Sequence, residues 1–79
     1  MATITSAQSG YWDDPETWVG GVVPDLSNDD VVVADYHSVT MDGGPLTLAS
    51  GREITISQYG MLELWSDLMV ENGASVYVQ

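Results

Sequence analysis

Few side chains in this 79-residue sequence are of types that carry out chemistry. Its single histidine is His37 and it has no cysteine, so disulfides, thiol nucleophiles and thiolate metal sites are excluded. No serine or acid is placed around His37 by a recognisable catalytic motif, and one histidine is a weak basis for a zinc site. We therefore expect a structural role for His37, no catalytic residue and no cofactor.

Two pairs of adjacent carboxylates, Asp13 with Asp14 and Asp29 with Asp30, are the other candidates. Glycosidases hold two carboxyl groups about 5–10 Å apart across a sugar cleft, and calcium takes clusters of oxygen ligands. These acids lie among glycine, proline and asparagine, and their spacing differs from that of an EF-hand loop. We expect them to form turns and caps, and we predict no metal site.

The aromatic residues Tyr11, Trp12 and Trp18 fall in a polar stretch, residues 7–30, that glycines and prolines break up. Large aromatic side chains in such a loop most often pin it onto a core. We therefore predict that Trp12 and Trp18 are buried anchors. The alternative is an exposed platform on which sugar rings stack, formed by these three residues.

Charge is the most unusual property of the composition. Twelve Asp and Glu residues face one basic residue, Arg52, which gives a net charge of −11. Nucleic acid and anionic membrane surfaces are not expected as partners, since both require clustered Lys and Arg. No apolar run approaches the roughly 20 residues of a membrane span, and residues 1–10 lack the pattern of a signal peptide. The acidity favours solubility, with a basic or calcium-dependent partner as the alternative.

From residue 31 onward, pairs of apolar residues separated by one position recur between turn residues, as expected of short strands. The pairs are Val31/Val33, Val39/Met41, Leu46/Leu48, Ile54/Ile56, Leu62/Leu64, Leu68/Val70 and Val76/Val78. Every third pair repeats after 22 or 23 residues, which predicts a three-sided parallel β-helix. Every second pair repeats after 14 to 16 residues, which leaves a two-sided coil as a less regular alternative.

These patterns predict one all-β domain over residues 1–79. Residues 1–30 form an N-terminal strand and a Trp-containing loop, and residues 31–79 form a short β-solenoid of about two to two and a half coils. An antiparallel sandwich or meander is the competing fold, because the short connections would also suit hairpins. Ile54, Leu62 and Leu68 are expected to point inward from different walls of one coil.

Residues 9–43 carry a more specific pattern. A Gly-x-Trp-x-x-Pro-x-Thr-Trp stretch from Gly10 to Trp18 precedes Gly-Gly-x-x-Pro at residues 20–24, Asp-x-Val-x-Val within residues 29–33 and His-x-Val-Thr at residues 37–40. This order resembles the opening, G8-like module of right-handed parallel β-helix surface proteins. The resemblance implies that the aromatic loop caps or flanks the first coil.

Family members of this kind are usually long and secreted. A single module that begins with its own Met and lacks a signal peptide looks more like a small virion protein of a tailed bacteriophage. We therefore expect a non-enzymatic structural protein, a capsid decoration (cement) or accessory protein, assembled in the host cytoplasm and located in the virion. The alternatives are an extracellular carbohydrate-binding or adhesive module and, less favoured, a fragment of a polysaccharide-degrading β-helix enzyme.

The last predicted strand, residues 75–79, is followed by no capping segment, lysine or proline. An unguarded strand edge favours pairing with another chain. We therefore expect a homo-oligomer, with a trimer as the working number, and docking onto a larger virion protein such as the major capsid protein. The residues expected at this assembly end are Leu68, Val70, Val76, Tyr77 and Val78.

Overall fold

A computed structural model describes residues 2–79, and in these residues nine short strands and one three-residue 3₁₀ helix, Pro15–Thr17, make up the regular structure. The strands are β1 (Thr3–Thr5), β2 (Gly10–Tyr11), β3 (Asp30–Val33), β4 (Ser38–Met41), β5 (Leu46–Leu48), β6 (Glu53–Ile56), β7 (Met61–Leu64), β8 (Leu68–Val70) and β9 (Ser75–Val78). Buried and less buried residues alternate in β3, β4 and β6, because successive side chains of a strand point to opposite faces.

The strands form three parallel sheets, which are the walls of a coil. Wall 1 has the order β1-β3-β6-β9, wall 2 the order β2-β4-β7, and wall 3 pairs β5 with β8. The chain therefore winds through wall 1, wall 2 and wall 3 in turn, as a β-solenoid of about three turns. The prediction of a short parallel β-helix is confirmed, and the pairing of every third strand excludes both the two-sided coil and the antiparallel meander.

The register along wall 1 stacks like side chains on like. Val31 pairs with Ile54, and Ile54 pairs with Val76 on the next turn. These rows of inward-facing side chains make the core, in which Val31 and Ile54 have no exposed surface. Leu62 and Leu68 pack against the same core from walls 2 and 3, so the predicted inward directions of Ile54, Leu62 and Leu68 are confirmed.

The first turn differs from what the sequence predicted. The solenoid was predicted to begin at residue 31, but β1 and β2 already belong to walls 1 and 2 and pair with β3 and β4. On the third side the chain forms a loop, residues 12–29, in place of a strand. There the backbone N–H of Ala49 donates to the carbonyl of Leu26 at 3.1 Å. The expected two to two and a half coils are therefore too few.

Insertion of the loop of residues 12–29 explains why the repeat pattern did not reveal the first turn. Ile4 pairs with Val31, 27 positions later, whereas Val31 pairs with Ile54 after 23. The first turn is thus longer than the regular repeat, and its strands fall outside the period of the others. No helix in the described part of the chain is long and apolar enough to cross a membrane.

Candidate docking site

The loop of residues 12–29, called the Trp loop below, closes the N-terminal end of the solenoid. Its Trp18 forms an antiparallel bridge with Ser6, the residue directly after β1. Two backbone hydrogen bonds flank this bridge, from Ala7 to Thr17 at 2.7 Å and from Val19 to Thr5 at 2.9 Å. Because β3 already pairs with the other side of β1, these contacts cover the C-terminal part of the outer edge of wall 1.

Two tryptophans hold the Trp loop in place. Trp12 and Trp18 are 3% and 2% exposed, and their rings meet edge to face with centroids 4.9 Å apart. The indole N–H of Trp18 donates to the carbonyl of Trp12 at 2.7 Å, and the N–H of Trp12 donates to Thr40 in wall 2 at 2.8 Å. Edge-to-face pairs stabilise by about 0.5–1.5 kcal/mol beyond the burial of their area.

The prediction that Trp12 and Trp18 are buried anchors is confirmed. The alternative platform of Tyr11, Trp12 and Trp18 is wrong, because a sugar ring cannot stack on indoles that the core already covers. Tyr11 is half exposed and lies on the outside of wall 2.

The polar residues considered for chemistry hold turns together. Asp14 caps the 3₁₀ helix by accepting from the N–H of Glu16 at 3.0 Å, and Asp29 accepts from the N–H of Asp25 at 3.0 Å. Asp30 accepts from the N–H of Glu53 at 3.0 Å. For Asp14 and Asp29 the prediction of turn and cap roles is confirmed, whereas Asp30 links strands β3 and β6 of wall 1.

Asp25 is the centre of the turn that ends the Trp loop. Its carboxylate accepts from the N–H of Ser27 at 2.9 Å and from the side-chain amide of Asn28 at 2.9 Å. These two hydrogen bonds, the backbone one foremost, hold the pKa of Asp25 below its ordinary value of 3.8.

His37 is half-buried at the corner between walls 1 and 2. Its Nδ1 lies 2.7 Å from the hydroxyl of Ser6, which also accepts from the N–H of Ala34 at 2.8 Å. The His37 tautomer decides whether the hydroxyl donates to Nδ1 or accepts from it, since a hydroxyl can donate one hydrogen bond and accept two. This contact ties the first turn to the second, as a structural role for His37 requires.

The C-terminal end of the solenoid is built differently. Within residues 2–79, β7, β8 and β9 are the last strands of their walls, and no strand pairs with their outer edges. The inward-facing rows end there without cover. Val76 and Val78 are 39% and 74% exposed, although Ile54 and Ile56, their register partners one turn earlier, are buried.

The same holds on the other two walls. Leu64 is 50% exposed above the fully buried Met41, and Val70 is 47% exposed above the fully buried Leu48. We call this surface the open end: the outer edges of β7, β8 and β9 with the inward-facing residues Leu62, Leu64, Leu68, Val70, Val76 and Val78. An apolar surface rimmed by free strand edges is suited to pairing with another strand or sheet.

Of the residues predicted for the assembly end, Val70, Val76 and Val78 lie on the open end with exposed side chains, and Leu68 is partly buried there. Tyr77 is 53% exposed but points outward from wall 1, as its partner Thr55 does. Leu64 was missed in the prediction. Its spacing of 23 residues from Met41 would have identified it as the last member of an inward row.

In residues 2–79 there is no pocket and no group of three or more His, Cys, Asp or Glu side chains that could hold a metal ion. The chain matches no known family model, no curated protein and no solved structure. The resemblance of residues 9–43 to a G8-like module therefore stays a prediction from the sequence.

Proposed function

We propose that this protein is a non-enzymatic structural component that docks onto a larger assembly through its open end. One observation carries the proposal: the inward rows that are fully buried in the middle of the solenoid emerge uncovered at Leu64, Val70, Val76 and Val78. Covering such apolar surface stabilises a complex by about 25 cal/mol per Å² of area removed from water, before the cost of association.

The roles of the polar side chains support a structural function. His37 and the carboxylates of Asp14, Asp29 and Asp30 are engaged in hydrogen bonds that hold turns and corners. A general acid or base needs a lone pair or proton directed at a substrate. In this structure Nδ1 of His37 is directed at Ser6, and one oxygen of each carboxylate is directed at a backbone N–H.

For the larger assembly we propose a virus particle, on which the protein acts as a decoration or accessory component bound to a protein such as the major capsid protein. The resemblance of residues 9–43 to modules of β-helix surface proteins supports this part of the proposal. Self-association into a trimer belongs to the same proposal, through contacts away from the acidic C-terminal end of the solenoid, and sedimentation equilibrium measures it directly.

The test is co-sedimentation with purified particles of the virus whose genome encodes the chain. Val78→Lys places a charge on the open end, and Thr3→Lys adds the same charge to an exposed position of β1, at the closed end. We expect Val78→Lys to weaken binding at least tenfold and Thr3→Lys to leave it unchanged. Both variants should melt within a few degrees of the parent, because both positions are exposed. A stable monomer that binds no particle would refute the proposal.

A second candidate function, carbohydrate binding, has one observation in its favour at a different place. Tyr36 and Tyr59 stack with ring centroids 5.2 Å apart and planes 9° from parallel, and they are 77% and 57% exposed. Tyr36 also adopts a left-handed φ of 65°, which is uncommon for a residue with a bulky side chain. Exposed aromatic faces are where sugar rings stack. A glycan array that binds the parent and loses binding in Tyr36→Ala, but not in Tyr11→Ala, would favour this function.

A further inference from the structure

Outward-facing side chains change character between the second and third turns of the solenoid. On wall 2, Ser38 pairs with Met61 one turn later, and on wall 3, Thr47 pairs with Met69. On wall 1, the pair one turn further along is Thr55 with Tyr77. In each pair a small polar residue is followed by a large apolar one.

These apolar side chains are open to solvent. Met61, Met69 and Tyr77 are 56%, 63% and 53% exposed, and Trp65, at the corner between walls 2 and 3, is 68% exposed. We call these four residues the collar. Their neighbours Leu62, Leu68 and Val76 point inward, so alternation directs Met61, Met69 and Tyr77 away from the coil axis. Covering the open end would therefore leave the collar exposed.

The collar surrounds the last part of the solenoid. It has members on all three walls, and residues 59–79 contain nine of the thirteen exposed large apolar side chains in the described chain. Exposed apolar side chains concentrated in one part of a protein mark an interaction site. A flat or convex partner can contact one wall at a time, so a surface spread over three walls fits a concave partner.

Charge indicates the chemistry of that partner. Residues 53–79 contain four carboxylates, Glu53, Glu63, Asp67 and Glu71, and no Lys, Arg or His. Glu63 lies within the collar, where its Oε1 accepts from the indole N–H of Trp65 at 2.6 Å. A second copy would bring like charges together, since each chain carries −11. A surface with Lys and Arg would complement them.

We propose that the last part of the solenoid, residues 59–79, is a plug that inserts into a concave socket of a different protein, lined by apolar side chains and by Lys or Arg. This inference rests on the proposed docking function and adds where the partner lies and what it is made of. Apolar contacts to the collar supply affinity, and basic groups facing Glu63, Asp67 and Glu71 orient the plug.

A triple variant separates the collar from the open end. Met61→Ser, Met69→Thr and Tyr77→Thr together give each position the residue found one turn earlier in its own row, so the coil should accept them. We expect a melting temperature within a few degrees of the parent and at least tenfold weaker binding to the particles. Binding of the parent should also weaken as salt rises, since screening reduces contacts between opposite charges. A triple variant that folds and docks as the parent does would overturn the inference.

Photo-crosslinking identifies the occupant. The photoreactive amino acid p-benzoylphenylalanine is placed at Met61, Met69 or Tyr77, one on each wall, and at Thr3 and Tyr11 near the closed end as controls. The plug predicts crosslinks from all three walls to one partner protein, within peptides that combine apolar residues with Lys or Arg, and none from the controls. Crosslinks to a second copy, or from a single wall only, would overturn it.

The two proposals fail differently. If the triple variant binds the particles as tightly as the parent does, the docking function stands and the collar has no part in binding. If no particle binds, the same crosslinking is carried out in cells that express the chain from its native gene. Crosslinks from all three walls to a basic partner that is not part of a virus particle would then support the plug and contradict a location in the virion. Absence of heterologous crosslinks would overturn both.

Discussion

The two ends of the solenoid differ in whether their rows of inward-facing apolar residues are covered. At the N-terminal end, the Trp loop lies across the outer edge of wall 1 and buries Trp12 and Trp18 beneath it. At the C-terminal end, the same rows of inward-facing residues finish at Val76 and Val78 with no cover in the described chain. A coil cannot bury its hydrophobic rows alone, because each turn covers the next. One end is thus closed by the chain's own loop, whereas the other is uncovered in residues 2–79.

This difference implies a gradient of stability along the axis. The strands β3, β4 and β6 have neighbouring strands on both sides, and the Trp loop covers part of the outer edge of β1, whereas β7, β8 and β9 have neighbours on one side only. Segments with few buried contacts and free backbone groups open most readily. The closed end therefore anchors the fold, and the open end is free to bind without reorganising the core.

The largest effect on folding should come from an acidic substitution in one inward-facing row of wall 1. In this row Ile54 is fully buried, and its register partner Val76 is 39% exposed. We expect Ile54→Asp to prevent folding, because a buried carboxylate without a partner costs several kcal/mol, comparable with the whole stability of a small domain. Val76→Asp should fold, since its carboxylate can reach water. Far-UV circular dichroism and thermal melting compare the two. If Ile54→Asp and Val76→Asp lost their folded structure to the same extent, the proposed difference in burial along this row would be contradicted.

A smaller effect distinguishes the tryptophans. Trp18→Ala should cost about 3–5 kcal/mol, because it removes a large buried side chain and its hydrogen bond to Trp12. Trp65→Ala, at a side chain 68% exposed, should change the free energy of unfolding by less than about 0.5 kcal/mol. Urea titration measures both. Acrylamide should quench Trp65 and spare the other two indoles; free quenching of Trp12 and Trp18 would show that the Trp loop does not close its end.

The smallest effect concerns pH at the closed end. The pKa of Asp25 is lowered in the folded state, so its contribution to stability is present above the unfolded value of about 3.8 and is lost as pH falls through the lower folded pKa. Asp25→Asn lacks this charge. We expect the parent to melt above Asp25→Asn at neutral pH, with the difference disappearing in acid below pH 3.8. A difference that stays constant from pH 7 to pH 2 would remove Asp25 from the stability of the Trp loop.

Much of the regular part of the fold could be predicted from spacing. All seven apolar pairs became strands, and the repeat of 22 or 23 residues matches the register of Val31 with Ile54 and of Leu46 with Leu68. Local alternation was sufficient there because each strand has one buried and one outer face. The first turn was not predictable in this way. β2 is only two residues long. Because the Trp loop is inserted, Val39, the register partner of Gly10, comes 29 positions later in the sequence.

The site was predicted in part. Uncovered residues at the end of the chain followed from the strand pattern, but the collar did not, because Met61 and Met69 look like ordinary strand residues until the turns are aligned. Their rows begin with Ser38 and Thr47, and the change from polar to apolar along each row is the signal. That alignment needs the register, which depends on which strands pair and not on local sequence.

Native-state hydrogen exchange tests the difference between the ends most directly. The amides to follow are Trp12 and Val19 at the closed end, and Ser75 and Gln79, which hydrogen-bond to Arg52 and Ile56 at the open end. In the free monomer we expect exchange at Ser75 and Gln79 to be at least a hundredfold faster than at Trp12 and Val19, and to slow when the protein docks. Equal protection at both ends of the free monomer, or no slowing at Ser75 and Gln79 on docking, would contradict an open end that serves as the docking surface.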